Sequence, residues 1–227
     1  MRRPSQRPLS PPTAVSIVVL PYLALVQANG WFNGPLFRAS LTLFLLVDAL
    51  YHVVLPIFGV WFLATRAGIR PAQYGFPIPP PLARELPFTT FVLAVVLSLV
   101  FFIPQRTLWA LSGFPVPSFS WGQVTPTGPL HGPVVLYLAV TAGVVESAVY
   151  LGLGWLVWRH FFTHRVRPML FALISAAVFA SVHWEQGLHG VTGAFAFGYV
   201  ACVLYLRIRD LWAIAGAHAA VDVVAFW

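Results

Sequence analysis

The sequence predicts an all-α fold, a polytopic transmembrane bundle of about seven helices that forms a single integral membrane domain over residues 1–227. Three observations carry that expectation. Hydrophobic residues make up 59% of the chain and charged residues only 8%, too few to coat a water-soluble core. Uninterrupted apolar windows such as "LTLFLLVDALYHVVLPIFGVWFLAT" (41–65) and "GPVVLYLAVTAGVVESAVYLGLGWLVW" (132–158) exceed the ~20 residues that cross a bilayer. The cations are all arginine, and most fall between such windows rather than within them.

Taken in order, the first span, 14–29, follows a basic, proline-rich lead, "MRRPSQRPLSPPT". It reads as a retained helix rather than a cleaved signal, because Gln27 and Asn29 surround no clear small-x-small site. The second covers 39–65 and ends at a cytoplasmic loop, 66–86, whose prolines cannot continue a helix. A third span, 87–104, leads into an external loop, 105–131, and a fourth covers 133–158. Spans at 168–184, 190–206 and 211–227 complete the set.

With the N-terminus inside, Arg2, Arg3, Arg7, Arg66, Arg70, Arg84, Arg159, Arg165, Arg167, Arg207 and Arg209 are all cytoplasmic. Arg106 is external and Arg38 lies near the outer start of the second span, so the distribution follows the positive-inside rule. Trp31, Trp109, Trp121, Trp158, Trp184, Trp212 and Trp227 fall near span ends, where interfacial anchors sit. The net charge of +7 therefore reads as topology and contact with membrane lipids, with no nucleic-acid partner. A bacterial cytoplasmic membrane is the expected location. The lone Cys202 permits neither an internal disulfide nor a cysteine metal cluster and is expected to be packed.

Inside such a chain an ionisable side chain facing lipid is expensive, so each must be paired, wetted or functional. Asp48 and His52 are four apart and suit a mutual pair, with a role beside an active site as the alternative. Glu146 has no partner three or four residues away that can neutralise it, so another helix must supply water or a base. His183 closes the apolar run "FASVH", and His218 with Asp222 forms an i,i+4 pair. At 1.5 Å per residue these four lie at depths between roughly 10 and 22 Å, close enough for tilt to bring them together. A glutamate and histidines around one water suit hydrolysis; proton relay in a transporter uses the same residue types. Glu185 and His189 read as a hydrated loop, with substrate gating as the alternative, and His131 sits in a proline-rich loop. His160 and His164, among cytoplasmic cations, suit lipid headgroups. Gly152, Gly154, Gly193 and Gly198 suit close helix approach without making a dimerisation motif.

The stretches "VVESAVYLG" (144–152), "FASVH" (179–183) and "LWAIAGAHAAVD" (211–222) resemble, in order, the three motifs of an intramembrane protease family. This family contains the type II CAAX prenyl endopeptidases and the bacteriocin-processing or immunity proteins. Its motifs read Glu-Glu-x-x-x-Arg, Phe-x-x-x-His and His-x-x-x-Asn or Asp. The resemblance implies a protease-like core over 133–227 and an intramembrane endopeptidase acting on a membrane protein or lipidated peptide. It implies Glu146 as the residue that activates water, His183 as its partner at that water, and His218 with Asp222 as an oxyanion-stabilising pair. Glu146, His183 and His218 are also candidate ligands for zinc, and glutamate-activated water without metal fits the family equally. The chain departs from the pattern at Ser147, where the second glutamate belongs, and at Leu151, where the arginine belongs. Loss of both together avoids one unpaired buried charge. It leaves open a catalytically weakened relative acting as an immunity or membrane scaffold protein.

Overall fold

The computed structural model describes residues 8–78, 80, 85–112, 125–162 and 167–227. Arg2, Arg3, Arg7, Arg84, Trp121, His164 and Arg165 lie outside the described residues. Among the described residues the protein is all helical, and the seven expected spans correspond to seven helices. These are α1 (Pro11–Ala39), α2 (Leu41–Arg66), α3 (Leu86–Ser112), α4 (Gly128–Phe161), α5 (Pro168–Ser181), α6 (Gly187–Ile208) and α7 (Leu211–Phe226). Five of them, α1, α2, α3, α4 and α6 with the turn that precedes it, are long and apolar enough to cross a membrane. The chain is an integral membrane protein.

The remaining two are shorter. At 14 and 16 residues, α5 and α7 reach only about 21 and 24 Å, and they are held by packing inside the bundle. There α5 lies on α6, while α7 lies on α3 and α4. The outer surface is correspondingly apolar: Leu46, Ile57, Phe88, Phe91 and Leu99 are exposed, whereas Asp48, His52, Ser147 and His218 are buried.

Several boundaries differ from the sequence reading. Helix α1 runs ten residues past Asn29, to Ala39, because Asn29 and Asn33 turn inward instead of breaking it, and the Asn33 amide donates to the Tyr51 hydroxyl at 3.5 Å. Trp31 therefore lies inside a helix and stacks on Trp184, with centroids 5.2 Å apart. Helix α3 continues through Pro104 to Ser112, so Arg106 and Trp109 are helical and not part of a loop. Helix-interior prolines are tolerated in membrane bundles, where neighbours compensate for the missing donor. In the fifth span the helix stops at Ser181, and His183 stands in the turn beyond it.

Helices α4 and α7 run antiparallel. Gly132 faces Trp227, Gly143 faces Ala215 and Ala219, and Gly152 faces Leu211. The contact at Gly143 is backbone on backbone: a Cβ there would stand 2.8 Å from the Ala219 nitrogen and 2.9 Å from the Ala215 oxygen. The start of α7 is tied to the loop after α2. Leu211 N–H donates to the Gly75 carbonyl at 2.7 Å, the Trp212 indole donates to the Pro77 carbonyl at 2.9 Å, and Phe76 packs edge-on against Trp212. Arg209, in the left-handed conformation at φ 55°, turns the chain from α6 into α7 and lies over the Trp155 ring at 4.5 Å. Asp210 then caps α7 by accepting from the Trp212 N–H at 2.8 Å. The Pro-rich segment thus acts as a clamp on the helix that carries His218 and Asp222.

Both α2 and α4 contain a π-helical stretch, Leu50–Val54 and Ser147–Leu153 respectively. A π turn inserts an extra residue and re-aims the side chains around it. One contains His52 and the other begins directly after Glu146.

Because neither backbone at the α4–α7 crossing can yield independently, Gly143→Ala is expected to destabilise the fold by about 1–3 kcal/mol. Reversible unfolding in detergent, compared with wild type, measures this. Unchanged stability would mean that the helices part without cost.

Candidate active site

A cavity of about 170 Å³ opens among the helices, and Glu146, His183, His218 and Asp222 all line it. That volume accommodates several waters. The four arrive from three places: Glu146 from the middle of α4, His183 from the turn after α5, and His218 and Asp222 from successive turns of α7.

His218 is the hub. Its Nε2 lies 3.6 Å from Glu146 Oε2 and 3.6 Å from Asp222 Oδ2, so the imidazole stands between two carboxylates. These separations are longer than direct hydrogen bonds and suit exchange of a proton or bridging by water. On the far side of the ring, Nδ1 lies 3.5 Å from the Ser147 hydroxyl. Phe197 and Phe179 flank the ring, with centroids at 4.6 and 5.7 Å. The side chain is therefore held by groups of four helices: Glu146 and Ser147 of α4, Phe179 of α5, Phe197 of α6 and Asp222 of α7 itself.

His183 is fixed differently. Its Nδ1 lies 2.9 Å from the Phe179 carbonyl, which can only accept, so Nδ1 carries the proton. In the neutral ring Nε2 then holds the lone pair, the tautomer that accepts a hydrogen bond from a water. The Phe179 ring packs on His183 at 4.7 Å, so the aromatic residue of the second stretch supports both histidines.

In and around the cavity wall stand residues that sequence reasoning misplaced or missed. Glu185 and His189 are buried instead of lying in a hydrated loop, and Glu185 lines the cavity. The reason is local. The Trp184 indole donates to the Gln27 carbonyl at 2.9 Å, the Gln27 amide donates to the Ser181 carbonyl at 3.2 Å, and Glu185 packs on Gly30, where a Cβ would stand 2.7 Å from its own Cβ. These contacts fold the turn inward onto α1. Asn29, Gln105 and Gln186 complete the polar lining; the one sequence signal for Asn29 was an amide within an apolar run. Asp48 and His52 bond to each other at 2.9 Å, as their spacing suggests, and they also line the cavity.

Ser147 and Leu151 are buried behind His218, beside a void of about 10 Å³ that they share with Glu146, Phe179 and Phe197. Among the described residues, no three His, Cys, Asp or Glu side chains come together as a group able to hold a metal ion. Glu146, His183 and His218 share the cavity wall, and His218 Nε2 stands 3.6 Å from Glu146 Oε2. Of the other histidines, His131 approaches the Pro126 carbonyl at 3.0 Å and packs on Trp227, and His160 is exposed at the end of α4. Cys202 is fully buried.

The Trp184 contact holds the turn after α5 against α1, and Trp184→Phe keeps a ring against Trp31 while deleting the donor. Loss of one such bond is expected to cost about 0.5–1.5 kcal/mol. Hydrogen exchange should rise in residues 182–190 and stay unchanged in α7; equal exchange in both proteins would count against the tie to α1.

Residues 129–224 match the family model for type II CAAX prenyl endopeptidase Rce1-like proteins. Comparison with curated proteins gave no match, and comparison with solved structures gave none either. The matched segment spans α4 to α7 and contains all four residues of the His218-centred group together with Ser147 and Leu151. Residues 129–224, somewhat under half of the chain, are thus similar to the type II CAAX prenyl endopeptidase Rce1-like family.

Proposed function

We propose that the chain is an intramembrane endopeptidase that hydrolyses a peptide bond in or close to the membrane. The observation that carries this reading is the convergence of Glu146, His183, His218 and Asp222 on one cavity, large enough for several waters, inside an apolar bundle. Glu146 takes a proton from a water as the water oxygen attacks the scissile carbonyl. His183, protonated at Nδ1, accepts a hydrogen bond from that water at Nε2 and fixes its position. His218, steadied by Asp222 and Ser147, faces the oxygen on which negative charge develops. The tetrahedral intermediate then collapses, the carbon–nitrogen bond breaks, and the amine leaves with a proton. No step is routed through a metal; among the described residues no three His, Cys, Asp or Glu side chains group as a metal site. The proposed substrate is a membrane protein or lipidated peptide, since the cavity lies within a lipid-embedded helix bundle.

Ser147 and Leu151 favour a second reading, a weakened relative that serves as an immunity or scaffold protein. Without a charged pair behind His218, that ring is positioned by a hydroxyl and two aromatic rings, and small displacements of catalytic groups cost large factors in rate.

A membrane-peptide library read by mass spectrometry separates the two. Glu146→Gln keeps the side-chain shape but cannot take up the proton, and is expected to lower cleavage by about 10²–10⁴-fold with the protein still folded. His183→Ala should also be severe, and Asp222→Asn milder, because an amide still hydrogen-bonds His218. Equal cleavage by wild type and Glu146→Gln would remove Glu146 as the base. No cleavage by folded wild type would favour the second reading, and activity that survives verified metal removal would exclude a required metal.

Orientation is proposed from the arginines, with the N-terminus and the 159–167 segment on the cytoplasmic side, opposite 105–131. Single cysteines introduced into these segments of a Cys202→Ala protein should label from opposite faces. Labelling of 105–131 and 159–167 from one face would reject the arrangement.

A further inference from the structure

Four groups around the cavity have roles above, but one pair on another helix has none. Asp48 and His52 belong to α2, outside the segment matched by the family, and line the same cavity as Glu146. The pair is built, not incidental. Asp48 Oδ1 meets His52 Nδ1 at 2.9 Å, Asp48 is 1% exposed and His52 7% exposed. Tyr51 packs on the imidazole at 4.3 Å and Tyr22 at 6.2 Å. The π turn Leu50–Val54 includes His52 and packs on α4, the helix of Glu146. Yet His52 Nε2 is buried with no hydrogen-bond partner, in a lining where polar and apolar side chains are about equally frequent. A buried ring nitrogen left unpaired costs stability unless something in the cavity meets it.

The geometry points to the Asp48–His52 pair as a second proton-exchange site of this cavity, one that delivers a proton from His52 Nε2 to the amine leaving the cleaved peptide. This rests on the hydrolase reading given above. An amide nitrogen leaves slowly as an anion, so the reaction requires an acid. His183 Nε2 accepts from the attacking water and His218 lies between Glu146 and Asp222, while Glu146, once it holds the proton of that water, is itself an acid in the cavity that His52 also lines. His52 lines the cavity and has one unpartnered ring nitrogen and, at the other, a carboxylate, so when doubly protonated it forms a neutral pair with Asp48 rather than an isolated buried charge. The protons balance. Water gives one proton to Glu146, the carbon–nitrogen bond breaks with its electron pair kept on nitrogen, and that nitrogen takes the His52 proton. Cavity water then returns the Glu146 proton to His52, and the net change is addition of one water. Glu185 is a further rival donor, because its Oε2 is also buried without a partner.

The test compares two substrates with one acyl peptide, an amide and its 4-nitrophenyl ester, whose phenolate leaves without protonation. His52→Gln is expected to slow amide cleavage about 100-fold and to change ester cleavage by less than about threefold. Asp48→Asn should show the same amide-selective loss at smaller size. In histidine-labelled protein in lipid nanodiscs, the His52 Nε2 signal should exchange with water. Equal losses on amide and ester would mark the pair as structural and overturn the proposal, as would no loss on either, a His52 signal sealed from water, or an amide-selective loss confined to Glu185→Gln. In those cases wild type still cleaves, so the hydrolase reading stands; a folded wild type that cleaves neither substrate fails that reading, and the donor role falls with it.

Discussion

A carboxylate and an imidazole can face each other within a lipid-embedded bundle only if the helices that carry them exclude lipid and approach closely. In this chain the constraint is met where α4 crosses α7 at Gly143, with backbone against backbone. One turn from that crossing, Glu146 and His218 stand at 3.6 Å. The rest of the architecture follows from keeping this crossing in place. The Pro71–Tyr74 turn and the residues after it are fastened to the first residues of α7, and Asp210 and Arg209 fix how that helix begins. Small translations of α7 would otherwise be free, because lipid tails give no hydrophobic incentive for one helix–helix contact over another.

The polar lining needs a second device. A straight α-helix presents a given face only every three or four residues, whereas the cavity collects groups from α1, α2, α4, α7 and the turn after α5. The π turns of α2 and α4 change the register of those helices beside His52 and Glu146, and Phe179 supports two histidines at once through a carbonyl and a ring. The apolar and polar parts of the site are thus one structure. The aromatic rings around His218 exclude lipid, and that exclusion strengthens each electrostatic contact inside.

Much of this was legible in the sequence for a physical reason. Ionisable residues are so costly in an apolar span that Glu146, His183, His218 and Asp222 stood out individually, and the helix count followed from hydropathy. Other features carry no comparable signal. Asn29 and Asn33 look like the end of a span, and only the Tyr51 partner shows that Asn33 turns inward within a longer helix. Glu185 lies among Trp, Gln and Gly and reads as loop, yet the Trp184–Gln27 bond folds that loop into the protein. A π turn has no residue signature at all, and Gly143 was not among the glycines that suggested close packing. The spacing of Asp48 and His52 revealed their pairing, but their place on the cavity wall depends on how α2 packs against α4.

The departures at Ser147 and Leu151 are coherent at this level. A second glutamate and an arginine at those positions would add two charges beside His218 in a space that now contains a void of about 10 Å³ and two aromatic rings. Removing one charge alone would strand the other in low dielectric; removing both leaves an apolar wall and a hydroxyl. That hydroxyl lies 3.5 Å from His218 Nδ1, so one polar contact behind the ring persists where a charged one is expected from the family pattern. The ring then loses much of its electrostatic tether while keeping its hydrogen-bonding environment. Positioning of His218 shifts onto packing by Phe179 and Phe197 and onto the closeness of α4 and α7, which makes the crossing at Gly143 a requirement of the site as well as of the fold.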